Sequence, residues 1–433
     1  MAGECGYALF MLRATIFLCL AVVCPAADGD PDAILARLRE RMNDALQHIT
    51  NYTCIQTVSR EYFRPNLVHS PESCGELYSS KTSGMHTLQP WSVDRLRLDV
   101  AVTPKREIYS WAGAEQFDEH DLPGLVGGGP ISTGAFSDFL SSIFGGTDAV
   151  FTFAGRTKRQ GRELLQFSYR VPRERSQYRI RTVDGRWLVS GYEGVILVEA
   201  ETADLVRLTV VTAELPPATG SCQANMEMDY RRIPIGESEV LLPASTRQRF
   251  VLRDGMESEN TTMFSACRAY RGDSTIRFVA AADISPNAKG SAARSSERLP
   301  ANLSVTTELA APLDTWTASG GDRISLRLTK PIVDSVKRVL IPAGALVEAR
   351  LIRVQRYFSK PARVTVVVQP EAIDTGVRQP IALFPNVPEP TFSVQGFSSN
   401  DVPRGTRSAT LHFTGEHVIV PKGYRTSWYT APQ

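Results

Sequence analysis

Residues Arg95–Val102 read RLRLDVAV, and their alternation decides the fold. Leu96, Leu98 and Val100 take every second place, and Arg95, Arg97 and Asp99 take the places between. Successive side chains of a strand point to opposite faces, so this period of two predicts a strand with one face on a core and one in water. The pattern recurs outward in both directions. CIQTVSREYF (Cys54–Phe63) precedes it; REIYSWAG (Arg106–Gly113), AVFTFAG (Ala149–Gly155), LLQFSYRV (Leu164–Val171) and SQYRIRTV (Ser176–Val183) follow. GVILVEAET (Gly194–Thr202), LVRLTVVTAE (Leu205–Glu214), NMEMDYRRI (Asn225–Ile233), STRQRFVLR (Ser245–Arg253) and MESENTTMFSACRAY (Met256–Tyr270) continue it. Asp184-Gly185, Pro216-Pro217 and Asp254-Gly255 are turn signals between them. Strands at this spacing with tight turns predict an antiparallel meander.

Ahead of the meander lies DPDAILARLRERMNDALQHITNY (Asp30–Tyr52). Ile34, Leu35, Leu38, Met42, Leu46 and Ile49 recur at helical spacing behind an Asp30-Pro31 start, which predicts one amphipathic helix. Asp118–Leu125 and Gly134–Phe144 break the run of strands and read as a helical insertion, with Gly127–Gly129 as its hinge, suited to a lid. Residues 283–298, small and polar, read as a linker. A second β-rich region, 299–433, follows, with Pro342-Ala343-Gly344 as a turn and Gln379–Gly405 as a Pro-rich loop. The expected class is mainly β: a large domain over 28–282 and a small β-barrel or sandwich over 299–433.

Composition agrees. The chain has 433 residues, 42% hydrophobic and 22% charged, so it is neither disordered nor a polytopic membrane protein. A net charge of +2 gives no global field for nucleic acid, and no such partner is expected. Arg13 followed by the apolar run Ala14–Val23 and Cys24-Pro25-Ala26 reads as a secretory signal over 1–26. An uncleaved anchor and lipidation of Cys24 are the alternatives, although Val23 departs from the small residue that lipoprotein signals place before the cysteine. The expected address is the periplasm or the periplasmic face of the outer membrane.

Outside the signal stand Cys54, Cys74, Cys222 and Cys267, an even number that points to two disulfides in an exported chain. Sequence proximity favours Cys54–Cys74 and Cys222–Cys267; buried free thiols are the alternative. No Cys-x-x-Cys or paired histidines indicate a metal, and no cofactor is expected.

The helix ending in Asn51-Tyr52-Thr53, DRLRLDV (Asp94–Val100) and GYEGVILVEAETADLVRLTV (Gly191–Val210) together resemble the LolA-like half-barrel of outer-membrane lipoprotein carriers. The start NYTC, the CRxY strand at Cys267 and REIYSWAG also resemble exported proteins of Acidobacteria type, a likeness that implies no activity. In the second region, PLDTWTASGGDRISLRLTKPIV (Pro312–Val333) and LIPAGALVEARLIRV (Leu340–Val354) resemble the C-terminal β-barrel of type IV secretion outer-membrane channel subunits. That barrel's long membrane-inserting helical extension has no counterpart here.

No residues set a nucleophile beside a base, so no catalytic residue is assigned and the chain does not read as an enzyme. His120, among Asp118, Glu119 and Asp121, reads as a solvated helix start. Asn51, Asn260 and Asn302 begin glycosylation-type triplets that are common by chance. Arg170, Arg173, Arg175, Arg179, Arg181 and Arg186 read as a wet face, with anionic lipid headgroups or envelope polymers as the functional alternative. Trp111, Phe117, Phe136, Phe139, Phe144, Phe151 and Phe153 cluster around the insertion. They form either plain core or the lining of an apolar cavity for a lipid or a lipoprotein acyl chain. The expectation is an exported binding protein of the cell envelope. Its alternatives are an envelope-stress sensor or regulator, or a structural component whose C-terminal domain meets a protein partner.

Overall fold

The computed structural model describes residues 30–430 except 48–50, 67–69, 104–105, 116, 118–121, 127, 132, 147–148, 160, 237, 270–298 and 387–406. The signal segment, His120, the whole linker and most of the Pro-rich loop lie outside the described residues. The first region runs α1 (Pro31–Gln47), β1 (Tyr52–Pro65), α2 (Cys74–Thr82), β2 (Leu88–Val102), β3 (Glu107–Trp111), α3 (Leu122–Val126), α4 (Asp138–Phe144), β4 (Val150–Arg159), β5 (Arg162–Val171), β6 (Arg179–Arg181), β7 (Trp187–Val189), β8 (Tyr192–Glu199), β9 (Leu205–Thr212), β10 (Ser221–Ile235), β11 (Ser238–Leu252) and β12 (Glu257–Ala269). The second runs β13 (Ser304–Leu309), β14 (Leu313–Asp314), β15 (Arg323–Leu328), β16 (Ile332–Val333), β17 (Val339–Ile341), β18 (Leu346–Tyr357), β19 (Arg363–Asp374), β20 (Arg378–Pro380), β21 (Leu383–Pro385), β22 (Ala409–Thr414), β23 (Ile419–Val420) and β24 (Arg425–Thr430).

The protein is mainly β, and its named strand pairs are antiparallel. In the first region the spatial order is β4-β5-β8-β9-β10-β11-β12-β1-β2-β3, so the meander turns back and places its last strand beside its first. The alternation seen in RLRLDVAV is real: Leu96, Leu98 and Val100 are buried, while Arg95, Arg97 and Asp99 are half-exposed. On β1 the even residues from Tyr52 to Tyr62 are buried. α1 lays Ile34, Leu38 and Met42 on this inner face. The insertion adds Phe139, Leu140, Ile143 and Phe144 beside it.

Among the described residues each region has one large hydrophobic core, and Cys74, Leu77, Cys222 and Val251 form a small further cluster at α2. The core of the second region is built on β21-β24-β13-β15-β18-β19-β22 around Trp428, whose indole N–H donates to Thr307 Oγ1 at 2.9 Å. The regions share backbone hydrogen bonds. The end of β18 pairs with β2, Gln355 opposite Asp94 and Tyr357 opposite Ser92. Gly320 bridges to Leu96 in parallel, with Arg97 N donating to Gly320 O and Gly320 N to Arg95 O, each at 2.7 Å. Glycine is required here: a Cβ on Gly321 would stand 2.1 Å from Arg97 O.

Several expectations are corrected. The disulfides are Cys54–Cys267 and Cys74–Cys222, not Cys54–Cys74 and Cys222–Cys267. The reason is sheet order: β1 lies against β12, so Cys54 meets a cysteine 213 residues away in sequence. Residues 74–82 form a helix that carries no apolar periodicity; the Ser73 side chain caps it by accepting from Glu76 N, and Cys74 ties it to the start of β10. The insertion is helical over two short stretches, Leu122–Val126 and Asp138–Phe144. Within the stretch read as a Pro-rich loop, β20 and β21 are short strands.

Candidate functional site

The inner face of the first sheet changes character along its strands. Near α1 it is apolar. At the other end, the registers place Gln355, Asp94, Arg60, Asn260 and Gln248 side by side on five adjacent strands: β18, β2, β1, β12 and β11. The next row outward is Tyr357, Ser92, Tyr62, Ser258 and Phe250. Gln355, Asp94, Arg60 and Gln248 of the first row and Tyr357, Ser92, Tyr62 and Phe250 of the second form the floor of a cavity of about 1000 Å³; Asn260 and Ser258 share the rows without lining it. One wall is the insertion, with Leu122, Pro123, Ile131 and Phe139. The opposite wall is the β6–β7 hairpin, with Ile180, Val183 and Trp187, backed by Tyr178 and Tyr192. The second region closes a third side with Arg353, Gln355 and Tyr357.

Arg60 anchors the floor. Its side chain is 1% exposed and that of Asp94 2%, and the two share a bidentate pair, Nε to Oδ1 at 2.8 Å and Nη2 to Oδ2 at 2.5 Å. Burial works against the guanidinium charge, but the Asp94 carboxylate outweighs it and holds the Arg60 pKa above its usual value. Nη1 donates to Gly128 O at 2.7 Å, and Asn260 Nδ2 donates to Pro130 O at 2.7 Å. The Gly128–Pro130 strap of the insertion is thus pinned to the floor. Gly129 has φ +83°, and a Cβ there would stand 2.7 Å from both Arg60 Nη1 and Tyr62 Oη. Gly128 and Gly129, two of the glycines read as a hinge, are the place where backbone lies directly on a buried ion pair.

A second clamp holds the insertion's far end. Glu107 accepts from Gly134 N at 2.9 Å and Phe136 N at 3.1 Å, and also from the Tyr109 hydroxyl. Burial raises the Glu107 pKa from its ordinary value despite these donors. Burial also raises Tyr62 and Tyr178 and pushes Tyr192 up to about 12, so the ring hydroxyls around the cavity stay neutral at ordinary pH. On the floor, Gln248 Nε2 is buried without a protein partner, suited to water or to a polar group of a ligand; Asn260 Oδ1 and Ser258 Oγ, off the cavity in the same rows, are also without a protein partner. Among the described residues, no group of three or more His, Cys, Asp or Glu could hold a metal. None of the described helices is long and apolar enough to cross a membrane.

Of the seven aromatics singled out in the sequence, Phe139 lines the cavity, packed on Tyr178 at 5.3 Å and Tyr192 at 5.9 Å. The other six do not line it. Phe136 packs between Tyr52 and Phe264; Phe144 stacks on Phe151, over which the Arg39 guanidinium sits. Phe153 is 41% exposed and meets Phe167; Trp111 packs against the first core; Phe117 is half-buried. Two of the arginines read as a wet face, Arg179 and Arg181, line the cavity from its hairpin. Asn260, which begins a glycosylation-type triplet, is buried in the sheet opposite Arg60. The floor had one signal in the sequence. Asp94 falls in phase with Leu96 and Leu98, and Arg60 in phase with Val58, so strand parity alone turns both charges inward.

No family model and no curated protein matches the chain. Solved structures similar to it include a DUF1329 family protein from Desulfovibrio piger, at 12% identity and TM-score 0.25, covering 57% of this chain and 95% of that one. A LolA superfamily protein from Nitrosomonas europaea matches at 8% identity and TM-score 0.25, covering 55% and 94%. A predicted outer membrane lipoprotein-sorting protein domain from Vibrio parahaemolyticus matches at 6% identity and TM-score 0.27, covering 56% and 93%. Similarity this low carries no argument about ligand or role, which rest on this chain's own residues.

Proposed function

We propose that this protein is an exported, non-enzymatic component of the cell envelope that binds an amphiphile, a lipid or a lipoprotein acyl chain, in the half-barrel. The observation that carries the reading is the cavity of about 1000 Å³ with aromatic and aliphatic walls over a hydrogen-bonding floor. Phe139, Ile131, Tyr178 and Trp187 would hold the apolar part. Gln248 would meet a carbonyl or hydroxyl. Two disulfides support an oxidising compartment. The division into 28–282 and 299–433 belongs to this reading, as does a protein partner for the smaller part in the manner of a secretion-type barrel.

One observation favours the sensor alternative. β18 of the second region supplies Arg353, Gln355 and Tyr357 to the cavity, so an occupant would touch residues of both regions. The test is native mass spectrometry of purified protein, followed by displacement of a fluorescent fatty-acyl probe. Bound lipid and a probe site weakened by Phe139→Asp are expected. Protein free of lipid that takes up no probe would sink the reading.

A further inference from the structure

The β6–β7 hairpin stands apart from the large sheet as its own two-stranded ribbon. Its turn is held rigid: Thr182 N donates to Arg186 O at 2.7 Å, Gly185 N to Thr182 O at 2.9 Å, and Val183 N to Ala218 O at 2.9 Å. Rigid backbone here presents apolar side chains outward. Val183 at the turn is 83% exposed, and Trp187 beside it is 47% exposed. Single exposed apolar residues are common. A valine and a tryptophan at one rigid tip, ringed by cations, form a combination with a narrower physical use.

The cations are concentrated. Residues 173–187 carry five arginines, 173, 175, 179, 181 and 186, against Glu174 and Asp184. That is a net +3 in 15 residues of a chain whose whole net charge is +2. All five are exposed, and Asp184 is engaged by Arg186 at 2.8 Å. Arg179 and Arg181 have no carboxylate partner among the described residues. The cavity reaches the same hairpin, since Arg179, Val183, Gly185 and Trp187 line it.

We infer that this hairpin docks the protein on an anionic lipid bilayer. Val183 and the Trp187 ring enter the interface, where an amphipathic ring is favoured, and the arginines sit among the headgroup phosphates. Docked in this way, the hairpin wall of the cavity lies against the membrane. Val183, Trp187, Arg179 and Arg181 also line the cavity, but they are exposed, and the inference concerns their contact with a bilayer, which is read separately from ligand uptake.

The test is vesicle flotation with the full chain at 0.15 M salt, comparing phosphatidylcholine vesicles with vesicles containing 30% phosphatidylglycerol. Flotation with the anionic vesicles and not with the neutral ones is expected, together with loss at 1 M salt, where screening shortens to about 3 Å. The double variant Arg179→Gln and Arg181→Gln should lower partitioning by roughly tenfold or more, at about 1 kcal/mol per arginine. Val183→Asp should abolish it. Trp187 emission should shift to the blue on addition of anionic vesicles, a shift missing in Trp187→Phe. Soluble acyl-probe uptake is measured separately without vesicles. A chain that floats but takes up no probe keeps the docking surface and loses the proposed ligand. Failure to float with anionic vesicles, or equal flotation of wild type and the variants, overturns the docking.

Discussion

Arg60 and Asp94 face each other across β1 and β2 as a bidentate ion pair sealed from water. Both sit on the face that otherwise forms a hydrophobic core. Removing one partner leaves the other charge buried and unpaired. Arg60→Ala or Asp94→Ala is therefore expected to cost about 3–5 kcal/mol in urea unfolding, and Arg60→Met combined with Asp94→Leu far less. Equal costs for the single and double variants would show that the pair's hydrogen bonds, not its isolation from water, carry the effect.

Gly129 lies on that pair with positive φ and no room for a methyl group. Gly129→Ala should lift the strap and lower stability by about 1–3 kcal/mol. Limited proteolysis should then cut first between residues 113 and 135. Cleavage at the wild-type rate would show that the strap is not held where the structure puts it.

The Glu107 clamp has a pH signature. Its pKa is raised in the folded state, mainly by burial, so the native form takes up the proton more readily than the unfolded chain. Its contribution to stability is full below the ordinary glutamate value and falls as pH rises through the raised value. Melting temperatures measured from pH 4 upward should therefore fall less steeply for Glu107→Gln than for wild type over that window. Parallel curves would remove the clamp's role.

The disulfide pattern is directly testable. Non-reducing peptide mapping should yield cross-linked peptides joining Cys54 to Cys267 and Cys74 to Cys222. Replacing both members of either pair with alanine should cost about 2–5 kcal/mol. A Cys54–Cys74 peptide would contradict the position of β1 next to β12.

Much of the fold was legible because alternation is a local property. Leu96, Leu98 and Val100 declare a strand and its buried face without reference to any other part of the chain. What neighbours that strand is not local. The same residues are compatible with many strand orders, and the cysteine pairing failed on that point. α2 escaped notice because Gly75, Ser79, Ser80 and Lys81 lay down no apolar stripe; the helix is held by a serine cap and a disulfide. The cavity was hidden for a related reason. An aromatic run in sequence was the visible signal, but Phe136 and Phe144 fill core space, while the floor is assembled from single residues on four strands, β18, β2, β1 and β11.

The position of β1 between β12 and β2 also sets an order of events for a growing chain. The first strand to be made can pair at once with β2, yet its other edge stays open until some two hundred more residues have appeared. Loop closure over such a span is slow, and an unpaired edge is the surface on which chains aggregate. The Cys54–Cys267 bond can form only once that wait is over, so its appearance marks the moment when the first region has closed.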